Sequence, residues 1–453
     1  MSIRRILIAN RGEIAVRVMR TCRALGIETI LAASEADLDS LPARFADRTL
    51  CIGPAHPSES YLKVDTIVQA ALSAKADAIH PGYGFLSERT ALARLCEEEG
   101  LIFIGPTSAQ IDAVGDKLRA RAEAEAAGVP IAPGGAVETL GEAMLLGREI
   151  GPPLLIKAVG GGGGRGMKRV DRLEDLPEAM QLASAEAGAA FGDARVYLER
   201  YVTHARHVEV QVLGDGQGGV IHLGERDCSV QRRYQKLIEE TPAPNLSEDF
   251  RASIRQAGVQ FAKRLHYRSA GTVEFLVDIE RDAFYFLEMN ARIQVEHPVT
   301  ETVTGVDLVA EQIAIAGGSG LRLKQEDLQF DGCAIESRIN AEDPARDFHP
   351  SPGTVHAAVW PSGEGIRVDT HIVSGARVPP FYDSLLAKII VHGADRAAAL
   401  KHMRQAIAKT QVEGVATNLP FHAEVLADSE FANGGVDTSF LARFLERRLP
   451  LEA

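Results

Sequence analysis

The clearest signal for the fold is LLIKAVGGGGGRGMKRV, residues 154–170, in which two apolar runs flank five consecutive glycines. Glycine lets the backbone adopt positive φ and lets its amides approach a ligand closely, and successive exposed amides form a concave anion site. The runs at 154–159 and 167–170 each predict a strand, so the glycines are predicted to form a hairpin flap over phosphates. A flexible linker is the alternative, but a linker rarely lies between apolar runs with Lys157 just before the glycines and Lys168 just after them.

The glycine loop matches neither of two common nucleotide-binding patterns. The chain contains no Gly-Lys dipeptide, which excludes the P-loop. The first strand is followed by Asn10-Arg11-Gly12-Glu13, which has one glycine where the dinucleotide-binding fingerprint has three. The sequence therefore predicts a Rossmann-like shape without a nicotinamide site.

The chain divides into three segments by the rhythm of its apolar runs. Residues 1–115 alternate strand-like and helix-like runs, which predicts a parallel sheet with helices on both faces. Residues 116–330 contain the glycine flap and two predicted antiparallel hairpins, 207–213 with 220–223 and 272–278 with 284–289. Residues 331–453 are predicted to have strands at 333–339, 354–359 and 386–391 and helices at 396–409 and 437–447. The fold class is therefore α/β in the first segment and α+β beyond it.

Composition excludes several functional classes. The net charge of −13 disfavours a general nucleic-acid binder, and 6% aromatic residues disfavour a base-stacking surface. No apolar run reaches the length of a membrane span. An odd number of cysteines without a CxxC pair argues against a disulfide framework, and we expect a cytoplasmic protein.

Two acids lie inside apolar strands of the second predicted hairpin. Glu274 lies in TVEFL and Glu288 in FLEMN, which also contains Asn290. A buried carboxylate needs a cation, and carboxylate and amide oxygens on adjacent strands suit Mg²⁺ bound to nucleotide phosphates. A salt bridge on an exposed sheet face is the alternative, but the apolar character of both strands favours a metal.

The following residues, 292–298, read RIQVEHP and combine an anion donor with an acid. The fork of Arg292 suits a planar oxyanion such as bicarbonate, and Glu296 beside it is a candidate general base. Lys236 lies in a locally basic stretch, 225–240, which indicates a focused anion site. By itself, His207 is equally well explained as a core residue or as a site residue, and Lys117 by itself is interpreted as a surface residue.

Taken together, the motifs resemble the biotin carboxylases, which are ATP-grasp enzymes. The matching strings span nearly the whole chain in order: IANRGEIA (8–15), HPGYGFLSE (80–88), GDK (115–117), GGGGGRGM (160–167), GERDCS (224–229), EMN (288–290), RIQVEHPVTE (292–301), ESRINAEDP (336–344) and PFYDS (380–384). The resemblance implies a Rossmann-like N-terminal domain at 1–115, an ATP-grasp domain at 116–330 with a glycine-rich lid at about 131–203, and a C-terminal biotin carboxylase domain at 331–453.

The resemblance also implies a reaction: ATP and bicarbonate give carboxyphosphate, and biotin is then carboxylated. The implied nucleotide contacts are Lys117, Lys157, Gly163, Gly164, Glu199, Arg200, Tyr201, Val202, His207, Gln231, Tyr234 and Leu276. The implied ligands of Mg²⁺, or Mn²⁺, are Glu274, Glu288 and Asn290. Bicarbonate is assigned to Lys236, Arg292, Gln294 and Val295, proton removal to Glu296, and biotin to Tyr83 and Arg338.

Partners follow from the same resemblance. No Ala-Met-Lys-Met biotinylation string occurs in the chain, so we expect a biotin carboxyl carrier protein and a carboxyltransferase as separate subunits, together with a homodimer. Tyr234 stands where the family usually has His or Asn, which puts the ribose contact in question. Other ATP-grasp carboxylate–amine ligases, and a pyruvate-type rather than an acetyl-CoA carboxylase, are the alternatives.

Overall fold

The N-terminal segment forms a five-stranded parallel sheet of order β3-β2-β1-β4-β5. The structure, a computed structural model, describes residues 3–160 and 166–448. Strand β1 is buried on both faces, with Leu7 in one apolar cluster and Ile6 and Ile8 in another, which confirms helices on both sides of the sheet. The elements are β1 (Arg5–Ile8), α1 (Gly12–Ala24), β2 (Glu28–Ala33), α2 (Leu41–Phe45), β3 (Arg48–Cys51), α3 (Val64–Ser73), β4 (Ala78–His80), α4 (Thr90–Glu98), β5 (Ile102–Phe103) and α5 (Ser108–Gly115).

The region around the glycine loop forms a four-stranded antiparallel sheet of order β6-β9-β7-β8. Its elements follow α6 (Lys117–Ala126) and are β6 (Gly134–Ala136), α7 (Leu140–Ile150), β7 (Leu154–Ala158), β8 (Met167–Val170), α8 (Leu176–Phe191) and β9 (Val196–Arg200). Lys157 pairs with Met167 across β7 and β8, so the predicted hairpin is confirmed. Helices α7 and α8 cover one face of the sheet through an apolar cluster that includes Leu154, Ile156 and Leu176.

A larger antiparallel sheet of eight strands carries the rest of the molecule, in the order β14-β13-β10-β11-β12-β15-β22-β20. Its strands from the middle segment, with the helices between and after them, are β10 (Ala205–Asp215), β11 (Val220–Arg232), β12 (Gln235–Thr241), α9 (Glu248–Arg264), β13 (Arg268–Asp278), β14 (Ala283–Asn290), α10 (His297–Thr304) and α11 (Leu308–Ala316). Both predicted hairpins are present. Strand β11 extends well past the predicted 220–223. The prediction ended too early because the second half of the strand is polar yet buried, including Arg226 and Asp227, and apolar periodicity does not detect such a strand.

The C-terminal segment adds three strands to this sheet and packs helices against it. Its elements are β15 (Cys333–Asn340), β16 (Glu342–Asp343), β17 (His349–Pro350), β18 (Gly353–Thr354), β19 (Ala357–Val359), β20 (Ile366–Thr370), β21 (Arg377–Val378), β22 (Leu385–Gly393), α12 (Arg396–Lys409), β23 (Gln411–Glu413), α13 (Leu419–Ala427), α14 (Ser429–Asn433) and α15 (Phe440–Arg448). One continuous sheet therefore joins the second and third predicted segments, whose boundary near residue 330 stays a prediction.

Two sequence predictions in this segment differ from the structure. The strand predicted at 354–359 is two strands, because β18 pairs with β21 whereas β19 pairs with β23. The last helix begins at Phe440 and not at 437, because the Asp437 carboxylate accepts the Ser439 amide in a local turn that competes with the helix. Within the described ranges, no helix has both the length and the apolar character that a bilayer crossing needs.

Candidate active site

Lys236 is the centre of a buried charge cluster on the eight-stranded sheet. Its Nζ lies 2.6 Å from Glu209 Oε2, 2.9 Å from Glu274 Oε1 and 2.8 Å from Glu296 Oε1. Burial alone would lower the pKa of this lysine, but the three carboxylates raise it well above its ordinary value. Lys236 therefore stays protonated and positively charged at neutral pH.

A β-bulge places Lys236 in this cluster. The register between β11 and β12 shifts from Val230 opposite Ile238 to Gln231 opposite Lys236, so β12 has one extra residue there. Bulges next to active sites commonly re-aim a side chain. The periodicity of the sequence does not show this shift.

Glu296 connects Lys236 to Arg338. Its side chain is fully buried, and its Oε2 lies 2.8 Å from Arg338 Nη2. Burial alone would raise the pKa of Glu296, but Lys236 and Arg338 hold it well below its ordinary value. The carboxylate is ionised at neutral pH, as a proton acceptor must be.

Arg292 is oriented by three neighbours. Nη1 donates to Gln294 Oε1 at 2.8 Å, Nη2 to Asn290 Oδ1 at 2.9 Å, and Nε to Glu88 Oε2 at 2.8 Å. These contacts bring two predicted residues, Gln294 of the anion site and Asn290 of the metal site, to the guanidinium of Arg292. The fork is held in place while its side chain remains partly exposed.

The predicted metal ligands lie on paired strands. Glu274 on β13 is directly opposite Glu288 on β14, and Asn290 Nδ2 donates to Glu274 Oε1 at 2.8 Å. In this state both acids have basic side chains beside them: Lys236 and His207 contact Glu274, and Lys117 Nζ lies 3.6 Å from Glu288 Oε2. Two carboxylates and an amide oxygen form a hard-oxygen donor set, which fits Mg²⁺.

A histidine and two acids on neighbouring strands also meet the geometry of a metal site. Ligand atoms of His207, Glu209 and Glu274 lie within 4.8 Å of one another. Both carboxylates of this set already contact Lys236, so we assign it to the ion-pair network. Burial would lower the pKa of His207, but Glu274 raises it above its ordinary value.

The predicted phosphate-binding lysine of the lid is paired with an acid. Lys157 Nζ lies 2.6 Å from Glu199 Oε2, and Arg121 Nη1 lies 2.6 Å from Glu199 Oε1. All three side chains are largely buried between the lid sheet and α6. Gly163 and Gly164 lie outside the described residues.

The other predicted nucleotide contacts lie on the lid and on the eight-stranded sheet. Arg200 Nη2 donates to the Ile150 carbonyl at 3.4 Å, and Tyr201 lies under the guanidinium of Arg169. Leu276 is opposite His207 across β13 and β10. The remaining three are Val202, which is buried, Gln231, which donates to the Cys228 carbonyl, and Tyr234, which is exposed at the tip of the β11–β12 turn with φ of 67°.

Tyr83 is connected to the bicarbonate-site backbone through two buried groups. Its hydroxyl donates to Glu13 Oε1, and Lys388 Nζ lies 3.1 Å from the same oxygen. Lys388 also donates to the Val295 carbonyl at 2.7 Å. A cavity of about 330 Å³ opens beside Tyr83, lined also by Phe381.

Sequence reasoning missed three groups that orient this site, Glu13, Glu88 and Glu209, and included Arg226 only as a member of the basic stretch 225–240. Arg226 is fully buried and donates to Glu209 Oε1 at 2.6 Å, which aims the other Glu209 oxygen at Lys236. Glu209 has the same signal that identified Glu274, an acid inside an alternating apolar strand. Glu88 and Glu13 have no such signal, because they reach the site only through the fold.

Comparison with known proteins identifies the family. The biotin carboxylase N-terminal domain model matches residues 2–111, the ATP-binding domain model of the carbamoyl-phosphate synthase L chain matches 116–324, and the biotin carboxylase C-terminal domain model matches 336–443. Biotin carboxylase 1 of Bacillus subtilis is 49% identical over 98% of this chain and 99% of its own. One of the subunits of pyruvate carboxylase from Methanothermobacter thermautotrophicus is 47% identical over 97% of this chain and 90% of its own.

Solved structures agree with these matches. Biotin carboxylase from Campylobacter jejuni superposes with a TM-score of 0.94 at 45% identity, over 98% of this chain and 99% of that one. The biotin carboxylase domain of the Hydrogenobacter thermophilus 2-oxoglutarate carboxylase, a dimer with MgADP, ADP and bicarbonate, gives the same TM-score and identity over 98% of both chains. The predicted ATP-grasp fold and ligase activity are thereby confirmed, and the chain belongs to the biotin carboxylase family.

Proposed function

We propose that this protein carboxylates biotin, using ATP and bicarbonate, through carboxyphosphate. The observation that carries the proposal is the unbroken contact path from Lys236 through Glu296 to Arg338. This path joins the residues assigned to bicarbonate to the residue assigned to biotin. A carboxylate–amine ligase has no need of such a connection.

Glu296 is the base of the first step. Lys236 and the fork of Arg292 bind bicarbonate, Glu296 takes its proton, and the freed oxygen attacks the γ-phosphorus of ATP while the bond to ADP breaks. When bicarbonate draws the Lys236 ammonium away from Glu296, the pKa of this carboxylate rises from its low value and the group becomes a stronger base.

Glu274, Glu288 and Asn290 would hold Mg²⁺, or Mn²⁺ in its place. When bound, the metal neutralises phosphate charge. Lys117 and Lys157, which pair with Glu288 and Glu199 in this state, exchange these carboxylates for the phosphates of ATP. His207, the glycine flap and residues 199–202 complete the proposed nucleotide site.

Arg338 serves the second step. Carboxyphosphate breaks down to CO₂ and phosphate, and this phosphate takes the proton of the biotin ureido nitrogen. Negative charge builds on the ureido oxygen as the proton leaves, and the nitrogen then attacks CO₂ to form the N–C bond of carboxybiotin. A guanidinium placed at a developing oxyanion lowers the barrier. Tyr83 lies beside the cavity that would admit the biotin ring.

The proposed partners are a biotinylated carrier protein, a carboxyltransferase and a second copy of this chain. Acetyl-CoA is the proposed final acceptor. A 2-oxo acid is the second candidate, because the relatives include part of a pyruvate carboxylase and a 2-oxoglutarate carboxylase domain. Co-purification of the biotinylated carrier with its transferase, followed by assay with acetyl-CoA and with pyruvate, decides between the acceptors. The cytoplasmic location stays a prediction.

The proposed reaction is tested by ATP hydrolysis with bicarbonate, with and without free biotin, and by transfer of labelled bicarbonate to biotin. We expect slow bicarbonate-dependent hydrolysis that biotin accelerates, with labelled carboxybiotin as product, and loss of both activities in Glu296→Gln. Hydrolysis that biotin does not stimulate, without carboxybiotin, would overturn the proposal.

A further inference from the structure

Two buried acids lie directly behind Arg338. Glu239 on β12 and Glu336 on β15 are opposite each other in the antiparallel pairing, and neither side chain has measurable exposure. Arg338 lies two residues beyond Glu336 on the same strand, so all three side chains are on one face of the sheet. Opposed side chains of an antiparallel pair have Cβ atoms about 5 Å apart, so the two carboxyl groups are neighbours.

The positive side chains near Glu239 and Glu336 do not balance two ionised carboxylates. Arg338 Nε lies 2.6 Å from Glu239 Oε1 as an ion pair, whereas among the described residues none of the four oxygens of Glu239 and Glu336 accepts a hydrogen bond. Lys388, opposite Arg338 on β22, is engaged by Glu13 and the Val295 carbonyl. The charged groups that act on the pair are Lys236, Lys388, Arg338, Glu209 and Glu296.

Electrostatics favours one proton on the pair. An ionised carboxylate without a hydrogen bond is costly to bury, and two like charges side by side raise the proton affinity of one of them. Burial, only partly opposed by Arg338, raises the pKa of Glu239 to about 7, and burial raises that of Glu336 well above its ordinary value. Since Arg338 contacts Glu239 and not Glu336, the proton belongs on Glu336.

We propose that Glu239 and Glu336 form a positioning pair that shares a single proton and aims Arg338. Glu239 is the member of the pair that ionises first, and it holds Nε of Arg338 on one side while Glu296 holds Nη2 on the other. Glu336 keeps the proton and is neutral, so no second negative charge lies beside Glu239. This inference rests on the proposed role of Arg338 in the biotin step.

The kinetic test compares Glu239→Gln with Glu336→Gln. In Glu239→Gln the charge that holds Arg338 is lost, so we expect kcat/KM for free biotin to fall at least thirtyfold, about 2 kcal/mol, while bicarbonate-dependent ATP hydrolysis without biotin falls less than threefold. In Glu336→Gln the neutral amide replaces a neutral carboxylic acid, so kcat/KM for free biotin should fall less than threefold. Glu240→Gln is the matched control, since this neighbouring buried acid pairs with Arg396 away from the site.

The stability test needs no substrate and is independent of the proposed function. Above pH ~4.5 the unfolded chain releases a proton that the folded wild type keeps on the pair, so the wild type loses stability as pH rises. Glu336→Gln has no such proton, so the ratio of wild-type to variant unfolding constants should rise by up to tenfold per pH unit between pH 6 and 8. A ratio independent of pH, or a greater biotin defect in Glu336→Gln than in Glu239→Gln, would overturn the proposal. If the wild type itself fails to carboxylate biotin, the proposed function fails while the stability result still tests the shared proton.

Discussion

Arg338 has carboxylates on both sides of its guanidinium, Glu239 and Glu296. Both contacts are buried, so the arginine has little freedom to reorient. Burial alone would lower its pKa, but Glu239 and Glu296 raise it above the ordinary value. The residue is permanently charged, which suits a stabiliser of negative charge and excludes it as a proton donor.

Replacing Arg338 by Gln tests its assignment to the biotin step. We expect slow bicarbonate-dependent ATP cleavage to persist while biotin carboxylation falls by about 100-fold or more, because only the second step builds charge on the ureido oxygen. Arg396→Gln is the matched control, since Arg396 also pairs with a buried glutamate but lies outside the site. Equal loss of both activities in Arg338→Gln would remove this residue from the biotin step.

At the scale of elements, the strands β7 and β8 of the lid flank the glycine run, and β7 contains Lys157, the lysine proposed to bind nucleotide. Lys157 is held by Glu199 on β9, and Glu199 is held by Arg121 on α6. In the proposed nucleotide site, phosphates would compete with Glu199 for Lys157, so we expect ATP binding to change the contacts that join the lid to α6.

Hydrogen exchange tests this change. On adding ATP, the amides of Leu154–Ala158 and Met167–Val170 should exchange more slowly, because glycine-rich lids close over bound nucleotide and exclude water. Peptides covering β1 and β2 serve as the internal control and should be unchanged. Identical exchange in the lid strands with and without ATP would count against closure.

At the scale of the whole molecule, one sheet and shared apolar clusters join all three predicted segments. A single cluster contains Leu7 and Ile79 of the parallel sheet together with Val208 and Phe275 of the large sheet. The site is built across this junction: Glu88 reaches Arg292, and Glu13 reaches Lys388. The proposed site residues therefore depend on packing between all three segments.

Buried neutral histidines make the fold sensitive to acid. Burial lowers the pKa of His80 to about 4, of His371 to about 3 and of His422 to about 4. Below pH ~6.5 the unfolded chain takes up these protons and the folded chain does not, so each histidine costs about 2 kcal/mol at pH 5. The wild type should therefore lose more stability between pH 7 and pH 5 than His371→Gln does, measured by urea midpoints. The exposed His349 provides the control variant, and equal losses in wild type and His371→Gln would contradict the prediction.

The sequence by itself determined the architecture and the chemical inventory of this protein. The alternating runs predicted the parallel sheet, the glycine run predicted the lid hairpin, and acids inside apolar strands marked Glu274 and Glu288. These signals are local, because burial, strand alternation and turn chemistry act over a few neighbouring residues. The site residues remain a proposal, supported by family resemblance and by their meeting in space.

Only the tertiary structure decided which charges meet. The bulge that aims Lys236, the ion pairs from Glu88 and Glu13, and the opposition of Glu239 to Glu336 all depend on strand pairing between distant segments. Electrostatic energy depends on distance and burial, and neither can be read from spacing along the chain. The sequence around Glu336 therefore gives no sign of a buried neutral acid, and only its position opposite Glu239 suggests one.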